Sequence, residues 1–415
     1  MREMKDSGIE WIGAIPQDWQ LSKIGSLYTQ RNEKVSDKDY QPLSVTMQGI
    51  LPQLATAAKT DDGDNRKLVR VGDFAINSRS DRRGSCGISP LDGSVSLINI
   101  ILTPRTAMHP GYYNWLFHTT LFADEFYKWG YGIVADLWTT RWQEMKSITV
   151  PVPEYAEQER IAAFLDAECA EIDAVLEKTR ASIEEYKKLK QAIITQAVTK
   201  GIRGDRPMKD SGIEWIGDIP VEWDVIRVKQ LLKERNERSK EGKEEPLSMS
   251  QKVGLVPTKF LESIPNMASS FVGAKLAYVD DLVFNKLKAH LGVFSVSRYD
   301  GLVSPDYAVY CSTGKSNLKY LEYIFKTPQC IGEFRKKSTG IAAGLMRLYT
   351  EGLFSIYLPY PALSEQEEIA EYLNEKCTGI DALIVKKQQY LTEIENYKKS
   401  LIYEYVTGKK EVLPL

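Results

Sequence analysis

The apolar residues of two long segments recur at alternating intervals of four and three. The segments are residues 157–199 and 365–407; proline is absent from both, and Gly379 is their one glycine. This spacing is typical of a long helix whose apolar seam packs on another helix as a coiled coil. The predicted seam residues are Leu165, Cys169, Ile172, Leu176, Thr179, Ile183, Tyr186, Lys190, Ile193 and Ala197 in the first segment, and Leu373, Cys377, Ile380, Ile384, Lys387, Leu391, Ile394, Lys398, Leu401 and Tyr405 in the second.

Each predicted helix follows a proline-rich segment, which is a start signal. The two segments read VPVPEYAEQE and LPYPALSEQE. Lys190 and Lys398 hold matching seam positions, and a polar residue in a seam favours one register at a cost in stability. The two apolar seams are most simply buried on each other, and the chain order favours an antiparallel pair.

The rest of the chain has a mixed pattern. Strand-like runs such as SVSLINIILTP and DYAVYCS alternate with glycine turns and with helix-like segments such as YYNWLFHTTLFADEFYKW and LKYLEYIFKTPQCIGEFRKK. The sequence therefore predicts an α+β fold in which two mixed domains are separated by two long helices that form an antiparallel coiled coil. The predicted boundaries are 1–153 and 205–361 for the domains, and 154–204 and 362–415 for the helices.

The chain is an internal repeat. MKDSGIEWIGAIPQDW at Met4–Trp19 returns as MKDSGIEWIGDIPVEW at Met208–Trp223, an offset of 204 that becomes 208 by Glu157 and Glu365. The four-residue difference must lie between Ser44 and Asn77, and the period is too long for a solenoid. Further matches are Arg31-Asn32-Glu33 with Arg235-Asn236-Glu237, Asn77 with Asn285, Asp92-Gly93 with Asp300-Gly301, and Ile172-Asp173-Ala174 with Ile380-Asp381-Ala382.

The ends of the two repeats are alike, whereas their middles have diverged. Shared ends indicate a common architecture, and different middles indicate different specificities. The alternative is a fused homodimer in which the duplication has no special role.

Composition is ordinary for a globular protein, with 43% hydrophobic and 27% charged residues. No apolar run approaches the roughly 18 residues of a membrane span. The N-terminal MREMKDSG lacks the apolar core of an export signal, so a cytoplasmic location is expected. Five cysteines without a CxxC pair and three scattered histidines favour neither a disulfide framework nor a zinc site.

The net charge is −2, but basic residues cluster in the segments NSRSDRRGS, NKLKAH and FRKKS. Such patches can bind phosphates on an otherwise acidic protein, because affinity depends on the number of phosphates contacted. The alternative is that each cluster is a solvated surface.

A search for catalytic patterns finds none that holds. STGKSN at Ser312–Asn317 resembles the end of a phosphate-binding loop, but Val309 replaces its first glycine. Dinucleotide-binding and amino-methyltransferase motifs are absent. Asp136, Glu144 and Lys146 fit a nuclease pattern only loosely, and the second repeat has Gly344, Gly352 and Phe354 there. We expect no catalytic, cofactor-binding or metal-binding residue in this chain.

Two segments of each repeat carry candidate DNA-binding residues. The first runs from a strand into a glycine turn, and the second is predicted to run from a glycine turn into a short helix that ends in arginine. Arginine can read guanine, and lysine or serine can hold phosphate. The candidates are Arg79, Ser80, Arg82, Arg83, Thr139, Thr140, Arg141, Lys286, Lys288, His290 and Arg347.

Several neighbouring residues have structural explanations. Asn77 and Asn285 are better explained as turn caps than as base contacts, because both repeats keep them. Asp81 could simply pair with an arginine. We expect Trp11, Trp19, Trp215 and Trp223 to be core residues shared by both domains.

These motifs together resemble the specificity subunit of type I restriction-modification enzymes. The resemblance rests on the SGIEWIG openings, the DG-x-VS segments, and the paired PxP-x(3)-EQE entries into IDA-containing helices that end in VTKG and VTGK. It covers nearly the whole chain and occurs twice.

The resemblance implies two target-recognition domains, each reading one half of an asymmetric bipartite site in double-stranded DNA, with the helices setting the unread spacer. It also implies docking of two methyltransferase subunits and possibly of two motor-nuclease subunits. S-adenosylmethionine, ATP and Mg²⁺ would then serve those partners, and no membrane is implied. A coiled-coil scaffold that binds proteins and no specific DNA sequence remains the alternative, and an anti-restriction protein or self-acting nuclease is a further one.

Overall fold

The computed structural model describes residues 2–53, 62–132, 138–251, 253–261, 271–340 and 346–413. The chain forms two compact units. Unit 1 consists of Met1–Arg180 and Gln388–Leu415, and unit 2 consists of Ala181–Lys387. Each unit therefore combines the globular part of one repeat with portions of both long helices. Within the described ranges, no helix is both long and apolar enough to cross a membrane.

The first repeat contains, in chain order, β1 (Met4–Asp6), β2 (Ala14–Pro16), β3 (Gln20–Lys23), α1 (Ile24–Leu27), β4 (Tyr28–Arg31), β5 (Lys34–Val35), β6 (Leu43–Thr46), β7 (Gly49–Pro52), β8 (Arg66–Val69), β9 (Phe74–Asn77), β10 (Cys86–Ile88), β11 (Gly93–Val95), β12 (Asn99–Pro104), α2 (Pro110–Phe117), α3 (Thr120–Lys128), α4 (Trp142–Met145), β13 (Thr149–Val152) and the long helix α5 (Tyr155–Lys200).

The second repeat contains β14 (Met208–Asp210), β15 (Asp218–Pro220), β16 (Asp224–Arg227), α6 (Val228–Leu231), β17 (Leu232–Arg235), β18 (Leu247–Ser250), β19 (Gly254–Pro257), β20 (Lys275–Ala277), β21 (Leu282–Asn285), β22 (Phe294–Val296), β23 (Gly301–Val303), β24 (Tyr307–Ser312), α7 (Leu318–Phe325), α8 (Pro328–Lys337), α9 (Thr350–Phe354), β25 (Tyr357–Tyr360) and the long helix α10 (Leu363–Val406).

The two units have matching central sheets. Antiparallel strands lie in the order β10-β9-β12-β4 in unit 1 and β17-β24-β21-β22 in unit 2, which is the same order read from the opposite edge. Each unit also has a separate two-stranded hairpin, β6-β7 or β18-β19. The predicted run SVSLINIILTP is divided between β11 and β12.

Both faces of each central sheet are buried. Successive strand residues point to opposite faces, so Phe74 and Ile76 of β9 join the core formed with α2 and α3, while Ala75 packs in a smaller cluster with Leu43 and Ile50 of the β6-β7 hairpin. The alternation in β21 is equivalent, with Val283 packed in the cluster that contains Leu247 and Leu255. This packing fixes each hairpin on one face of its sheet.

The long helices confirm the predicted coiled coil. α5 and α10 begin and end within two residues of the apolar segments 157–199 and 365–407, and every predicted seam residue is buried or partly buried. Within unit 1 they pack antiparallel, with the rings of Phe164 and Tyr405 4.4 Å apart and Lys398 Nζ 2.6 Å from the Asp173 carboxylate. The predicted packing role of Cys169 is also confirmed, since it is buried and burial raises its pKa to about 11.

The seam lysines lie at the edge of the seam and form ion pairs. Within unit 2, Lys190 Nζ lies 2.6 Å from Asp381, and the Lys398–Asp173 pair of unit 1 is its repeat equivalent. The lysine side chains are 29% and 22% exposed. Both acidic partners come from the IDA motifs, so these motifs supply the charges that the seam lysines require.

The EQE motifs hold the helix starts in place. Glu157 accepts hydrogen bonds from Trp19 Nε1 at 2.9 Å and from Arg2 Nη1 at 2.5 Å, and Glu365 accepts from Trp223 Nε1 at 2.9 Å and from Arg206 Nη2 at 2.7 Å. The neighbouring Gln158 and Gln366 are buried. Each glutamine accepts from a backbone N–H, that of His109 or Asn317, and donates to the carbonyl of Pro153 or Pro361.

The tryptophan prediction is confirmed for three residues and partly for the fourth. Trp11, Trp19 and Trp223 are buried, whereas Trp215 is partly buried. Each unit also uses the end of the other repeat's helix: Tyr112 Oη donates to the Val406 carbonyl at 2.8 Å, and Tyr320 Oη donates to the Val198 carbonyl at 3.4 Å. The globular part of each repeat therefore contacts the end of the long helix that belongs to the other repeat.

The strand pairs locate the length difference between the repeats. The offset is 204 between β6 and β18, 205 between β7 and β19, and 208 where Gly93 pairs with Val69 and Gly301 with Ala277. One of the four extra residues therefore lies at the hairpin tip of unit 2, and three lie between β19 and β20. All four extra residues therefore lie within the predicted interval between Ser44 and Asn77, and the strand pairs divide that interval into two shorter ones.

Candidate nucleic-acid interface

A short loop follows the central strand of each sheet and carries the first set of candidates. Asn77 Oδ1 accepts a hydrogen bond from Arg79 N at 3.0 Å, and Asn285 Oδ1 accepts one from Leu287 N at 3.1 Å. Gly84 then adopts φ +76°, a left-handed conformation that glycine tolerates. The turn-cap explanation of the two asparagines is therefore confirmed.

The two candidate segments of unit 1 lie side by side. Arg79 and Thr139 form an isolated antiparallel bridge. Ser80 N donates to the Trp138 carbonyl at 3.0 Å, and Thr140 N donates to the Ser78 carbonyl at 3.0 Å. Backbone hydrogen bonds therefore join the two candidate segments of the first repeat, although about 60 residues separate them in the sequence.

The arginines of unit 1 differ in their surroundings. Arg79 and Arg82 are exposed, and Arg82 Nε lies 3.7 Å from Asp81, so the predicted pairing of that aspartate is present. Arg83 pairs with Asp124 and lies over the Tyr127 ring. Of the three, Arg79 and Arg82 are the less constrained cations.

Exposed aromatic side chains accompany these cations. The Arg141 guanidinium lies 4.7 Å from the Tyr131 ring centroid, which is within cation–π range. Trp129, Tyr131 and Trp138 are 45%, 43% and 36% exposed. The unit 1 surface therefore combines positive charge with accessible ring surface.

The equivalent segments of unit 2 also meet. Leu348 N donates to the Lys286 carbonyl at 3.0 Å, and Arg347 is bridged through its backbone to Thr339. Arg347 Nη2 lies 3.4 Å from Asp306. Lys286 Nζ donates to the Pro305 carbonyl, and burial, followed by the charge of Lys275, lowers the pKa of Lys286. Lys288 is exposed.

Two candidates do not reach the surface. Thr140 is 0% exposed, and its hydroxyl donates to the Phe126 carbonyl at 2.9 Å. His290 is 9% exposed. The side chains of both residues are buried in this conformation, so the accessible candidates are the other nine.

The short helices predicted to end in arginine need a correction. Residues 133–137 and 341–345 lie outside the described residues, as does Asp136 of the weak nuclease pattern. At the described ends, Thr139 pairs with Tyr131 and Arg347 pairs with Thr339 as β-bridges. Arg141 and Arg347 precede α4 and α9, so neither arginine ends a helix.

Among the described residues, no group of three or more His, Cys, Asp or Glu side chains is arranged to hold a metal ion. Glu144, the described carboxylate of the nuclease pattern, instead accepts a hydrogen bond from the backbone of Arg141.

Sequence inspection missed the tips of the hairpins β6-β7 and β18-β19. Met47 is 71% exposed and Val253 is 62% exposed, although both are apolar. The signal that could have identified them is their position in the segment where the repeats differ in length.

No family model matches the chain. The chain is 22% identical, over 428 residues, to the type I restriction enzyme MjaVIII specificity subunit of Methanocaldococcus jannaschii, and the match covers 96% of this chain and 94% of that protein.

Two solved structures are similar over almost their full length. A chain from the work on complex assembly and conformational transition of the type I R-M system superposes with a TM-score of 0.73 at 13% identity, covering 95% of this chain and 99% of that one. The HsdS subunit from Thermoanaerobacter tengcongensis gives a TM-score of 0.54 at 16% identity, covering 95% and 98%. The predicted resemblance is confirmed: the chain is similar over nearly its full length to a type I restriction enzyme specificity subunit, and it shares the fold of these two solved structures.

Proposed function

We propose that this chain is the non-catalytic DNA-recognition subunit of a type I restriction-modification complex in the cytoplasm. Each recognition domain, residues 1–153 or 205–361, reads one half of an asymmetric bipartite target in double-stranded DNA. The observation that carries the proposal is that the repeats keep the same scaffold contacts while their exposed loops carry different side chains.

The charge distribution supports DNA as the ligand. The chain has a net charge of −2, yet the unit 1 loop presents Arg79 and Arg82, and the unit 2 loop presents Lys288. Phosphate contacts fix orientation and contribute most of the non-specific affinity, whereas contacts to base edges specify sequence. Different cations at the two sites favour two different half-sites.

The long helices are proposed to set the number of unread base pairs between the half-sites. α5 has 46 residues and α10 has 44. At a rise of about 1.5 Å per residue, helices of this length extend roughly 65 to 70 Å. Their paired seams and matched ion pairs support a defined register, which a fixed spacer requires.

The helices are also proposed to dock the methyltransferase subunits. Positions immediately before seam residues form a flank of the helix pair. On this flank unit 1 exposes Val175, Tyr390 and Tyr397, and unit 2 exposes Leu189 and Leu383, all at least 39% exposed. Exposed apolar side chains in such a row indicate a protein-binding surface. The S-adenosylmethionine, ATP and Mg²⁺ of the complex would be bound by partner subunits.

Exchange of a recognition domain tests the division of labour. Residues 1–153 are replaced with the corresponding domain of a relative of different specificity, and methylated adenines are mapped across the host genome. We expect one half of the motif to change and the other half to remain. A change in both halves would contradict the proposal.

A matched insertion tests the spacer role. Seven residues are duplicated after Arg180 and seven after Lys387, which keeps both seams in phase. Because seven residues add roughly 10 Å of helix and a base pair spans about 3.4 Å, we expect the spacer to grow by about three base pairs with unchanged half-sites. An unchanged spacer would refute this role.

A protein-binding scaffold without DNA specificity is the second candidate, and the apolar flank alone would fit it. A salt titration separates the two. Duplex binding by the chain with its methyltransferase partner should weaken steeply as salt rises, since phosphate contacts release counterions. Absence of duplex binding at low salt would favour the scaffold.

A further inference from the structure

The hairpins β6-β7 and β18-β19 expose apolar side chains at their tips, Met47 in unit 1 and Val253 in unit 2. Met47 and Gln48 form the tip in unit 1, and both are exposed. Thr46 holds the tip in shape, because its hydroxyl accepts a hydrogen bond from Gln48 N at 3.1 Å and donates to the Gly49 carbonyl at 2.9 Å. Met47 is 71% exposed on this constrained turn, so its side chain contributes little to the packing of its own unit.

Each hairpin packs near the basic loop of its unit, which is residues 78–84 in unit 1 and 286–292 in unit 2: the unit 2 hairpin contacts this loop, and the unit 1 hairpin packs on β10, the strand that follows it. In unit 2, Gln251 Nε2 donates to the carbonyl of Leu291, which lies in the loop that also carries Lys288. Gly254 packs so closely on Ser295 that an added Cβ would lie 2.7 Å from its hydroxyl. In unit 1 the equivalent Gly49 packs on Gly87, since a Cβ added to Gly87 would lie 2.9 Å from the Gly49 Cα. The hairpin therefore has the same seat in both units.

The tips differ between the units, whereas the contacts of the hairpins with the central sheets are equivalent. Unit 2 has one more residue between its paired strands than unit 1, and the exposed apolar side chain is Val253 in place of Met47. A length change at an exposed tip alters what the surface contacts without disturbing the core. This is the pattern expected of a part that determines specificity.

The chemistry of the tips matches base edges in the major groove. A two-stranded ribbon fits this groove, a glutamine amide can bind adenine N6 and N7 together, and an apolar side chain can contact the thymine methyl group. The neighbouring cations are suited to phosphate, which would position the tip. In unit 2 the tip thus contacts the loop that carries Lys288, and in unit 1 the hairpin packs on the strand that follows the loop carrying Arg79 and Arg82.

We propose that the hairpin tips, through Met47 and Gln48 in unit 1 and through Gln251 and Val253 in unit 2, are specificity-determining elements that enter the major groove of duplex DNA, one at each half-site. This inference rests on the proposed function as a DNA-recognition subunit. It assigns the reading of bases to the tips, and it assigns to Arg79, Arg82 and Lys288 the task of holding the backbone.

The test uses the full chain with its methyltransferase partner and maps methylated adenines across the host genome. Met47→Ala/Gln48→Ala should relax or abolish the reading of one half of the motif and leave the other half intact. Binding to a duplex carrying the mapped wild-type motif should weaken roughly 5- to 150-fold, which corresponds to the removal of one base-reading interaction. Val253→Ala, which leaves the contact between Gln251 and Leu291 intact, should affect only the other half.

Val71→Ala is the matched control in unit 1, because Val71 is 65% exposed at the opposite end of β9 from the basic loop. Val279→Ala is the control in unit 2, where Val279 is 51% exposed at the equivalent turn. Both control variants should keep the full motif and wild-type affinity. Equal losses of affinity in the control and tip variants would overturn the proposal.

Gln48→Glu tests the assignment without removing atoms. A carboxylate cannot donate to adenine N7 but can accept from cytosine N4, so the preferred base at one position should shift from adenine to cytosine. Unchanged motifs in both the double alanine variant and Gln48→Glu would overturn the tip assignment while leaving the proposed function standing. A wild-type complex without any bipartite motif would instead overturn the proposed function.

Discussion

The basic loop of unit 1 carries Arg79, Arg82 and Arg83, whereas the equivalent positions of unit 2 are Leu287, His290 and Leu291. Unit 2 instead places lysines at 286 and 288, where unit 1 has serines. The two loops follow equivalent strands and begin with the same asparagine cap. The difference therefore lies in the side chains that the frame presents.

The frame itself is nearly invariant between the units. The Trp–Glu–Arg contacts at the helix starts, the buried glutamines and the tyrosine bonds to the opposite helix all occur twice with the same partners. A duplicated scaffold with different loops separates the requirement for stable packing from the requirement for different specificities. Packing keeps the geometry constant, so specificity can change at exposed positions with little cost in stability.

The largest expected effect on stability comes from removing a contact that both units share at the start of a long helix. Glu365→Ala removes the acceptor for Trp223 and Arg206, whose ion pair is nearly buried at 8% and 12% exposure. Removing one partner of a buried pair costs about 3 to 5 kcal/mol. Hydrogen exchange by mass spectrometry should report faster exchange in unit 2, and Glu157→Ala should do the same in unit 1.

Glu368→Ala is the control for this variant, because Glu368 lies one turn further along α10 and pairs with Arg203 in an exposed ion pair. Its removal should leave the stability of unit 2 almost unchanged, because exposed ion pairs contribute little. Similar exchange in the Glu365 and Glu368 variants would mean that the buried contact is not part of the frame.

The loop arginines should matter next, and for binding more than for folding. Arg79→Ala/Arg82→Ala/Arg83→Ala should weaken duplex binding by a similar factor for every sequence, because these arginines are proposed to hold the DNA backbone. Each arginine that neutralises a phosphate in the wild type should, once removed, make the slope of log K against log salt shallower by about 0.9. Arg83 should contribute least, because it already pairs with Asp124.

Arg70→Ala is the matched control, since Arg70 is 42% exposed and lies before β9, at the far end from the loop. Fluorescence anisotropy with a labelled duplex over a salt series measures both quantities. Wild-type affinity in the triple variant would show that these loop arginines do not contact DNA.

One hydrogen bond distinguishes the two units at the start of β9 and β21. Asp73 accepts hydrogen bonds from Arg31 and, at 2.8 Å, from the Thr103 hydroxyl, whereas Asp281 accepts from Arg235 and Cys311 replaces the threonine. Thr103→Cys should therefore destabilise unit 1 by about 1 kcal/mol, the value of one hydrogen bond.

The reciprocal change Cys311→Thr should stabilise unit 2 by a similar or smaller amount, and Thr103→Ser should be close to neutral because it retains the hydroxyl. Urea unfolding followed by hydrogen exchange in each unit measures these changes. Destabilisation by Cys311→Thr would show that the two carboxylate sites are less alike than their geometry indicates.

The sequence predicted those parts of the fold that have long periodic signals. The heptad pattern located both helices, and the repeat located the shared ends, because burial of an apolar seam constrains many positions at once. The hairpin tips carried no such signal, since a methionine in a sequence gives no indication of its exposure. Thr140 and His290 were misplaced for the opposite reason: a polar residue beside basic neighbours suggests a surface, but tertiary packing buried both.

The smallest expected effect concerns the paired seam ions, and it is the finest comparison of the two units. Lys190–Asp381 lies in unit 2 and Lys398–Asp173 in unit 1, both at 2.6 Å with acidic partners more than half exposed. Solvent screening limits each pair to about 0.2 to 1 kcal/mol. Double-mutant cycles with Lys190→Ala/Asp381→Ala and with Lys398→Ala/Asp173→Ala give the two coupling energies, read from urea unfolding. We expect equal values within about 0.3 kcal/mol, both falling as salt rises. A coupling confined to one unit would mean that the helix register is fixed from one side only, since the duplicated motif would then act in a single copy.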